Sequence, residues 1–196
     1  MIIGICGKSG SGKTTICKQL EELGAYVIDA DVIARNIMCG CVLEKVKDEF
    51  PECFENGVLN RRKLGSCVFS DESKLEILNN ITHPVIRNEI QNRINCAESE
   101  YDIIVVDAAV MIEAGMLDMF DFTVAVIAAD NMRKKRIMAR DGISESLASS
   151  RISAQKDDAF YIDNTDFYVV NNGDSISENV GRDIIERGRR YAALRS

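Results

Sequence analysis

The sequence holds one histidine, two prolines and no apolar run near the roughly 18 residues of a membrane span. With His83 as the only histidine, a zinc centre would rest on cysteine. Cys39-Gly40-Cys41 is the sole close pair, with no second cluster at zinc spacing, so no zinc site is expected. Positive charge is also in deficit: 24 Lys and Arg against 31 Asp and Glu give a net charge of −7. That balance argues against a surface that tracks nucleic-acid phosphates, though a local basic pocket for a phosphorylated small molecule stays open. No internal repeat, low-complexity segment or proline-rich linker is present. Residues 1–6 are apolar but too short for a signal peptide, and they run straight into a glycine-rich segment, so a cytoplasmic location is expected. The seven cysteines are scattered through apparent helices and strands, which fits buried small hydrophobes in a reducing compartment better than a disulfide framework.

What is present is the balance of an ordinary globular protein, 46% hydrophobic and 28% charged over 196 residues. The length suggests one domain carrying insertions. Apolar runs at residues 1–6, 26–29, 103–106, 122–127 and 167–170 read as strands, two of them (103–106 and 122–127) as strands buried on both faces. Helical spacing separates them, beginning with Ile16, Leu20 and Leu23 before a Gly24 stop. The expected fold is α/β, a three-layer α/β/α arrangement around a five-stranded parallel sheet. Its core would be residues 1–31, 101–138 and 158–196, and its ligands would gather at the carboxyl ends of the strands. The stretch 32–100 exceeds an ordinary crossover and predicts a helical subdomain, with helical patterns near 42–50, 63–69 and 75–94. A helix over 132–140, a break at Asp141-Gly142 and a second helical run over 145–155 predict a helical lid at about 139–157. A final amphipathic helix is expected over 176–194, with Arg182, Arg187, Arg189, Arg190 and Arg195 on or near a solvated face.

The segment Gly7-Lys8-Ser9-Gly10-Ser11-Gly12-Lys13-Thr14 fits G-x-x-x-x-G-K-[ST] at every specified position, after a predicted strand and before a predicted helix. Glycines let backbone N–H groups turn toward phosphate oxygens, and the helix start aims its positive end at the same anion. Gly10, Ser11, Gly12, Lys13, Thr14 and Thr15 are therefore the expected nucleotide contacts. Lys13 would reach the β- and γ-phosphates, and the Thr14 hydroxyl would bind Mg²⁺. Ile103-Ile104-Val105-Val106-Asp107 is an apolar strand ending in an acid. Asp107 either completes the Mg²⁺ site or caps a following helix.

No guanine-reading N-K-x-D motif and no L-S-G-G-Q occur, so an ATP-dependent small-molecule kinase is favoured over a GTPase or a transporter ATPase. Such a kinase must place a hydroxyl in line with the γ-phosphate, steer its proton with a carboxylate and neutralise the transferring group with cations. Asp29 and Asp31, at the end of the second strand and expected beside the first, are the carboxylate candidates; both could instead serve as helix-start residues. Arg136 and Arg140 share a helix face, with Arg151 across the hairpin. They are either lid cations or solvated surface.

The residues resemble the dephospho-coenzyme A kinase family nearly end to end. The resemblance is carried by the phosphate loop, by Ile28-Asp29-Ala30-Asp31-Val32-Ile33-Ala34-Arg35, by Thr82-His83-Pro84-Val85-Ile86-Arg87, and by Glu113. Arg140-Asp141-Gly142, Arg151-Ile152-Ser153-Ala154-Gln155, and Asp166 with Asn171 and Gly173 extend it. It implies transfer of the ATP γ-phosphate to the ribose 3′-hydroxyl of dephospho-coenzyme A by a monomer or weak homo-oligomer. Asp31 would be the base and Arg140 a contact to the transferred phosphate. Arg35, His83, Arg87 and Glu113 would help hold the acceptor, and Asn171 would lie near adenine. His83 is otherwise a helix-cap or core residue, and Pro84 makes a helix start there plausible.

The sequence departs from the family's pattern at three places. Lys8-Ser9 replace the usual small residues and would add a charge beside the phosphates, Ala109-Val110-Met111-Ile112 precede Glu113 where the family often has Pro-Leu-Leu-Phe, and Cys39-Gly40-Cys41 replaces a proline and glycine. Rival readings are another P-loop small-molecule kinase and an ATP-dependent switch protein.

Overall fold

The computed structural model describes residues 1–173, 177 and 179–195, except the side chain at 195. Residue 176, where the last helix was expected to begin, and the Arg195 side chain lie outside the described residues. The chain divides into two compact units, Met1–Asp29 with Arg93–Ser196, and Ala30–Asn92.

The first unit is built on five parallel strands: β1 (Ile2–Gly7), β2 (Tyr26–Asp29), β5 (Ile104–Asp107), β6 (Phe122–Ile127) and β7 (Phe167–Val170), in the order β2-β5-β1-β6-β7. The second strand was expected beside the first, but β5 lies between them. Burial explains the order. The Ile104-Val105-Val106 run of β5 is buried on both faces and takes an interior place, whereas Tyr26 and Val27 of β2 are only partly covered and suit an edge. Every residue of β6 is likewise buried.

Helices α1 (Lys13–Glu22) and α9 (Val180–Arg195) cover one sheet face. Ile16, Leu20 and Ile184 meet Ile3, Ile5, Val105, Val124 and Val126 there. The turns at 109–115, the 3₁₀ turn Leu117–Met119, the short helix α8 (Asp158–Asp163), and the helices α6 (Asp130–Asp141) and α7 (Glu145–Ser153) also belong to this unit. Asp166 ties three elements together: it accepts from the Thr123 N–H at 2.8 Å, the Thr123 hydroxyl at 2.6 Å and the Tyr191 hydroxyl. The α6–α7 hairpin lies where a lid was expected, with Asp141 the last residue of α6 rather than part of the break.

The second unit contains α2 (Ala30–Asn36), α3 (Gly40–Glu49), a 3₁₀ turn Pro51–Cys53, a hairpin of β3 (Phe54–Glu55) and β4 (Val58–Leu59), α4 (Arg61–Phe69) and most of α5 (Glu72–Ala97). The hairpin was not anticipated. Asn56 and Gly57 both take positive φ, 51° and 80°, which is the two-residue turn that matches strand twist. The expected helix start at Pro84 is also overturned, because Pro84 lies inside α5. The carbonyl of Asn80, one turn earlier, loses its N–H partner but belongs to an exposed residue and can bond water instead. The core here is Val42, Val46, Phe50, Cys53, Leu64 and Val68.

Candidate active site

The phosphate loop leaves β1 at its carboxyl end and enters α1 at Lys13. Gly12 is the N-cap and offers no side-chain acceptor, and no acidic residue lies in the first turn. The N–H groups of Lys13 and Thr14 have no carbonyl one turn earlier, so the positive end of α1 is left for an outside anion. Gly10 has φ +77°, and a Cβ there would stand 2.8 Å from the Arg133 carbonyl oxygen, so the loop passes where only glycine fits. Ser11 Oγ is fully buried without a hydrogen-bond partner.

Lys13 Nζ stands 3.3 Å from Asp107 Oδ1, both side chains mostly covered. Thr14 and Asp107 thus offer a hydroxyl and a carboxylate, an oxygen set that fits a small hard cation such as Mg²⁺. Asp107 is followed by turns rather than a regular helix, which removes the alternative that it caps one. Burial, reinforced by Glu113, pushes the Cys6 thiol up to about 12, and burial also raises Cys17. Both thiols are therefore neutral and unreactive beneath the loop.

The loop is held from outside by Arg133, which pattern did not single out, and by Arg136, Gln155 and Asn171. Arg133, 0% exposed, donates from Nε to the Ser9 carbonyl at 3.0 Å, from Nη1 to Asp130 at 2.6 Å and from Nη2 to Gln155 Oε1 at 2.5 Å. The same Gln155 oxygen accepts from the Ser9 N–H at 3.1 Å. Arg136 donates to the carbonyls of Gly10, Ser11, Asn171 and Gly173 and to the Asn171 amide oxygen. Asn171 in turn donates to the Ser11 carbonyl at 2.7 Å. Arg136 was expected to be either a lid cation or a solvated surface residue. Its guanidinium is spent on loop carbonyls instead, because these oxygens point away from the amide side of the loop and need donors.

A sequence profile described as dephospho-CoA kinase matches residues 1–177. The chain belongs to the dephospho-CoA kinase family. A dephospho-CoA kinase of Corynebacterium diphtheriae is 37% identical over 191 residues, covering 95% of this chain and 92% of that one. One from Carboxydothermus hydrogenoformans is 41% identical over 159 residues, 79% and 77% of the two chains. Among solved structures, a Thermus thermophilus protein designated TT1252 superposes with TM-score 0.83 at 29% identity, covering 97% of both chains. A Campylobacter jejuni dephospho-CoA kinase at 23% identity, TM-score 0.66 and coverage of 100% and 98% shares the fold.

Within this dephospho-CoA kinase framework, Lys8 does not add a free charge beside the phosphates. It is buried and its Nζ lies 2.6 Å from Asp158 at the start of α8, so the extra cation is neutralised locally. Arg140, with a side chain 61% exposed, donates to Asp141 at 2.7 Å and lies 3.4 Å from Ser9 Oγ. Arg151 reaches the other Asp141 oxygen at 2.5 Å. The Arg140 bond, more than any other influence, holds the Asp141 carboxyl below its usual range. Glu113 is exposed in the turn after β5.

In the second unit, Asp31 and Arg35 are exposed on α2, one turn apart, with Asp31 two residues beyond the end of β2. The Arg35 carbonyl accepts from Arg61 Nη2 at 2.9 Å. His83 and Arg87 are one turn apart on α5 and partly buried, and burial lowers the His83 pKa and favours its neutral form. The expectation of buried cysteines holds for Cys6, Cys17 and Cys53 but not for Cys39, Cys41 and Cys96, which are exposed; all are free thiols. Cys39 is the N-cap of α3 and Cys41 lies in its first turn, neither among that helix's buried residues Val42 and Val46.

Arg133→Met retains length but removes every polar contact, stranding the Ser9 carbonyl and Gln155. The expected cost is about 3 kcal/mol of unfolding free energy, from hydrogen bonds to a charged group at 1.5–3 kcal/mol each. Urea unfolding measures it, and the KM for ATP should rise more than kcat falls.

Proposed function

We propose that the chain transfers the γ-phosphoryl group of ATP to the ribose 3′-hydroxyl of dephospho-coenzyme A, giving coenzyme A and ADP, in the cytoplasm. The observation that carries the reading is the uncompensated start of α1 at the mouth of a loop that is fixed from outside, with Lys13 and Asp107 beside it. In this reading the N–H groups of residues 10–15 and Lys13 hold the β- and γ-phosphates, with Asn171 on the adenine side. Thr14 and Asp107 would hold Mg²⁺, which, when bound, offsets the charge of the transferring phosphoryl group.

Asp31 takes the proton as the 3′-oxygen attacks the γ-phosphorus. The bond to the β,γ-bridging oxygen breaks, and ADP leaves. Arg140 leaves Asp141 to meet the transferred group when the lid at 139–157 closes. Arg35, His83 and Arg87 in the 30–92 unit hold the acceptor, aided by Glu113. The protein acts as a monomer or weak homo-oligomer and needs neither nucleic acid nor a membrane. No helix among the described residues is long and apolar enough to cross one.

An acceptor panel with ATP and Mg²⁺ tests the proposal. Dephospho-coenzyme A should be phosphorylated at least ~10³-fold more efficiently than nucleoside monophosphates or shikimate, because a site that must pair an acceptor's polar groups rejects analogues that lack them by large factors. Turnover of another acceptor in preference would refute it, as would ATP binding with no acceptor phosphorylated.

A further inference from the structure

The second unit gathers two thiols and a carboxylate that the sequence spacing did not show as a cluster. Glu52 and Cys53 lie in the 3₁₀ turn Pro51–Cys53, and Cys67 lies near the end of α4, fourteen residues later. One ligand atom from each lies within 4.8 Å of the other two. We propose that Glu52, Cys53 and Cys67 form a binding site for a zinc-class divalent cation, separate from the phosphate loop and independent of the kinase reading.

The three donors run from floor to rim. Cys53 is 0% exposed within the core of Val42, Val46, Phe50, Leu64 and Val68. Its backbone is pinned at both polar groups: its N–H donates to Phe50 O and its carbonyl accepts from Asn60 N, each at 2.9 Å. Cys67 is half-buried and Glu52 is exposed, so a cation can arrive from water and keep a water as its fourth ligand. Tetrahedral ligands at about 2.0–2.3 Å from a zinc ion stand closer together than 4.8 Å, and rotation of the exposed Glu52 and half-buried Cys67 side chains supplies the closure. Two sulfurs with one carboxylate select zinc-like ions over Mg²⁺ and Ca²⁺, which take oxygen.

The cluster already favours positive charge. Lys74, in the first turn of α5, places Nζ 3.4 Å from Cys67 Sγ and 3.8 Å from Glu52 Oε1. Cys67 Sγ itself lies 3.5 Å from that carboxylate oxygen. Lys74 is 40% exposed along its side chain and can turn to solvent when a divalent ion replaces it. Metal binding must also expel the thiol protons. Burial raises the Cys53 thiol, and Cys67 and Glu52 raise it further while Lys63 opposes them; Lys74 stands beside Cys67. Affinity should accordingly rise with pH. The ion would bridge the 3₁₀ turn to α4 and clip together the two ends of the β3–β4 excursion.

The test uses the full chain, stripped with chelator and kept reduced without oxygen, titrated with Cd²⁺ as an optical probe and back-titrated with Zn²⁺. One equivalent should give a thiolate-to-cadmium charge-transfer band that Zn²⁺ removes. Cys67→Ser should weaken binding at least ~10-fold and reduce the band, Glu52→Gln should weaken it by a similar factor, and Lys74→Ala should tighten it ~10-fold by removing the competing ammonium. The double variant Cys39→Ser/Cys41→Ser should bind as the parent does. Because Cys53 is a core residue and its variants could misfold, the partly exposed Cys67 and Glu52 carry the decision. No saturable band at one equivalent would overturn the proposal, as would an unchanged band and affinity in Cys67→Ser.

Discussion

Asp31→Ala is expected to lower kcat by about 10²–10⁴-fold, the usual contribution of a positioned general base, while leaving ATP affinity within a factor of a few. The split follows from position. Asp31 lies exposed in the first turn of α2, just beyond the carboxyl end of β2, and has no part in the loop or in its outside supports. In the proposed reaction, removing it takes away the base and none of the groups proposed to hold phosphate. Single-turnover rates beside equilibrium ATP binding separate the two quantities. A comparable loss of both would show that Asp31 supports the nucleotide rather than the proton transfer.

Lys13→Ala should cost about 10²–10³-fold in kcat, the scale set by removing one fixed donor aimed at developing charge. Arg140→Ala at saturating substrates should cost much less. Lys13 grows from the first residue of α1 and is braced by Asp107 at 3.3 Å, so its ammonium is in place before substrate arrives. Arg140 has a 61% exposed side chain engaged with Asp141, and neighbouring Arg151 shares that carboxylate and can substitute in part. Steady-state kinetics of the two variants decide the matter, and equal, small losses would remove Lys13 from the role proposed.

The strands of the sheet were legible because a parallel strand covered on both faces reads as an unbroken apolar run. Ile104-Val105-Val106 and all of Phe122–Ile127 are such runs. Their order was not, since adjacency is decided by which strand can afford a partly open face, and that depends on burial only the folded chain reveals. The phosphate loop was legible as a motif. What holds it was not: pattern placed Lys8 beside the phosphates and Arg136 on the lid or at the surface and passed over Arg133, because long cations are seldom buried without partners. Their partners, Asp158, the Ser9 carbonyl and the carbonyls of 10 and 11, are supplied by segments more than a hundred residues away. The Asn56-Gly57 turn carried a readable signal, but the flanking strands are two residues each and gave no alternation to support it. The Glu52, Cys53 and Cys67 group was hidden for a similar reason, since the turn between its halves is what brings them together.

Every residue from Lys8 to Ser11 is fastened from outside the loop: Lys8 to α8, Ser9 to Arg133 and Gln155, Gly10 and Ser11 through their carbonyls to Arg136. Fixing a free backbone residue costs roughly 1–2 kcal/mol in entropy, so a slack loop of four residues would charge several kcal/mol against each nucleotide it captured. Here that ordering is completed once, during folding, and is not repeated at every turnover. Phosphate meets a surface that needs no further arrangement, and the binding free energy goes to discrimination and to the reaction coordinate rather than to shaping the loop.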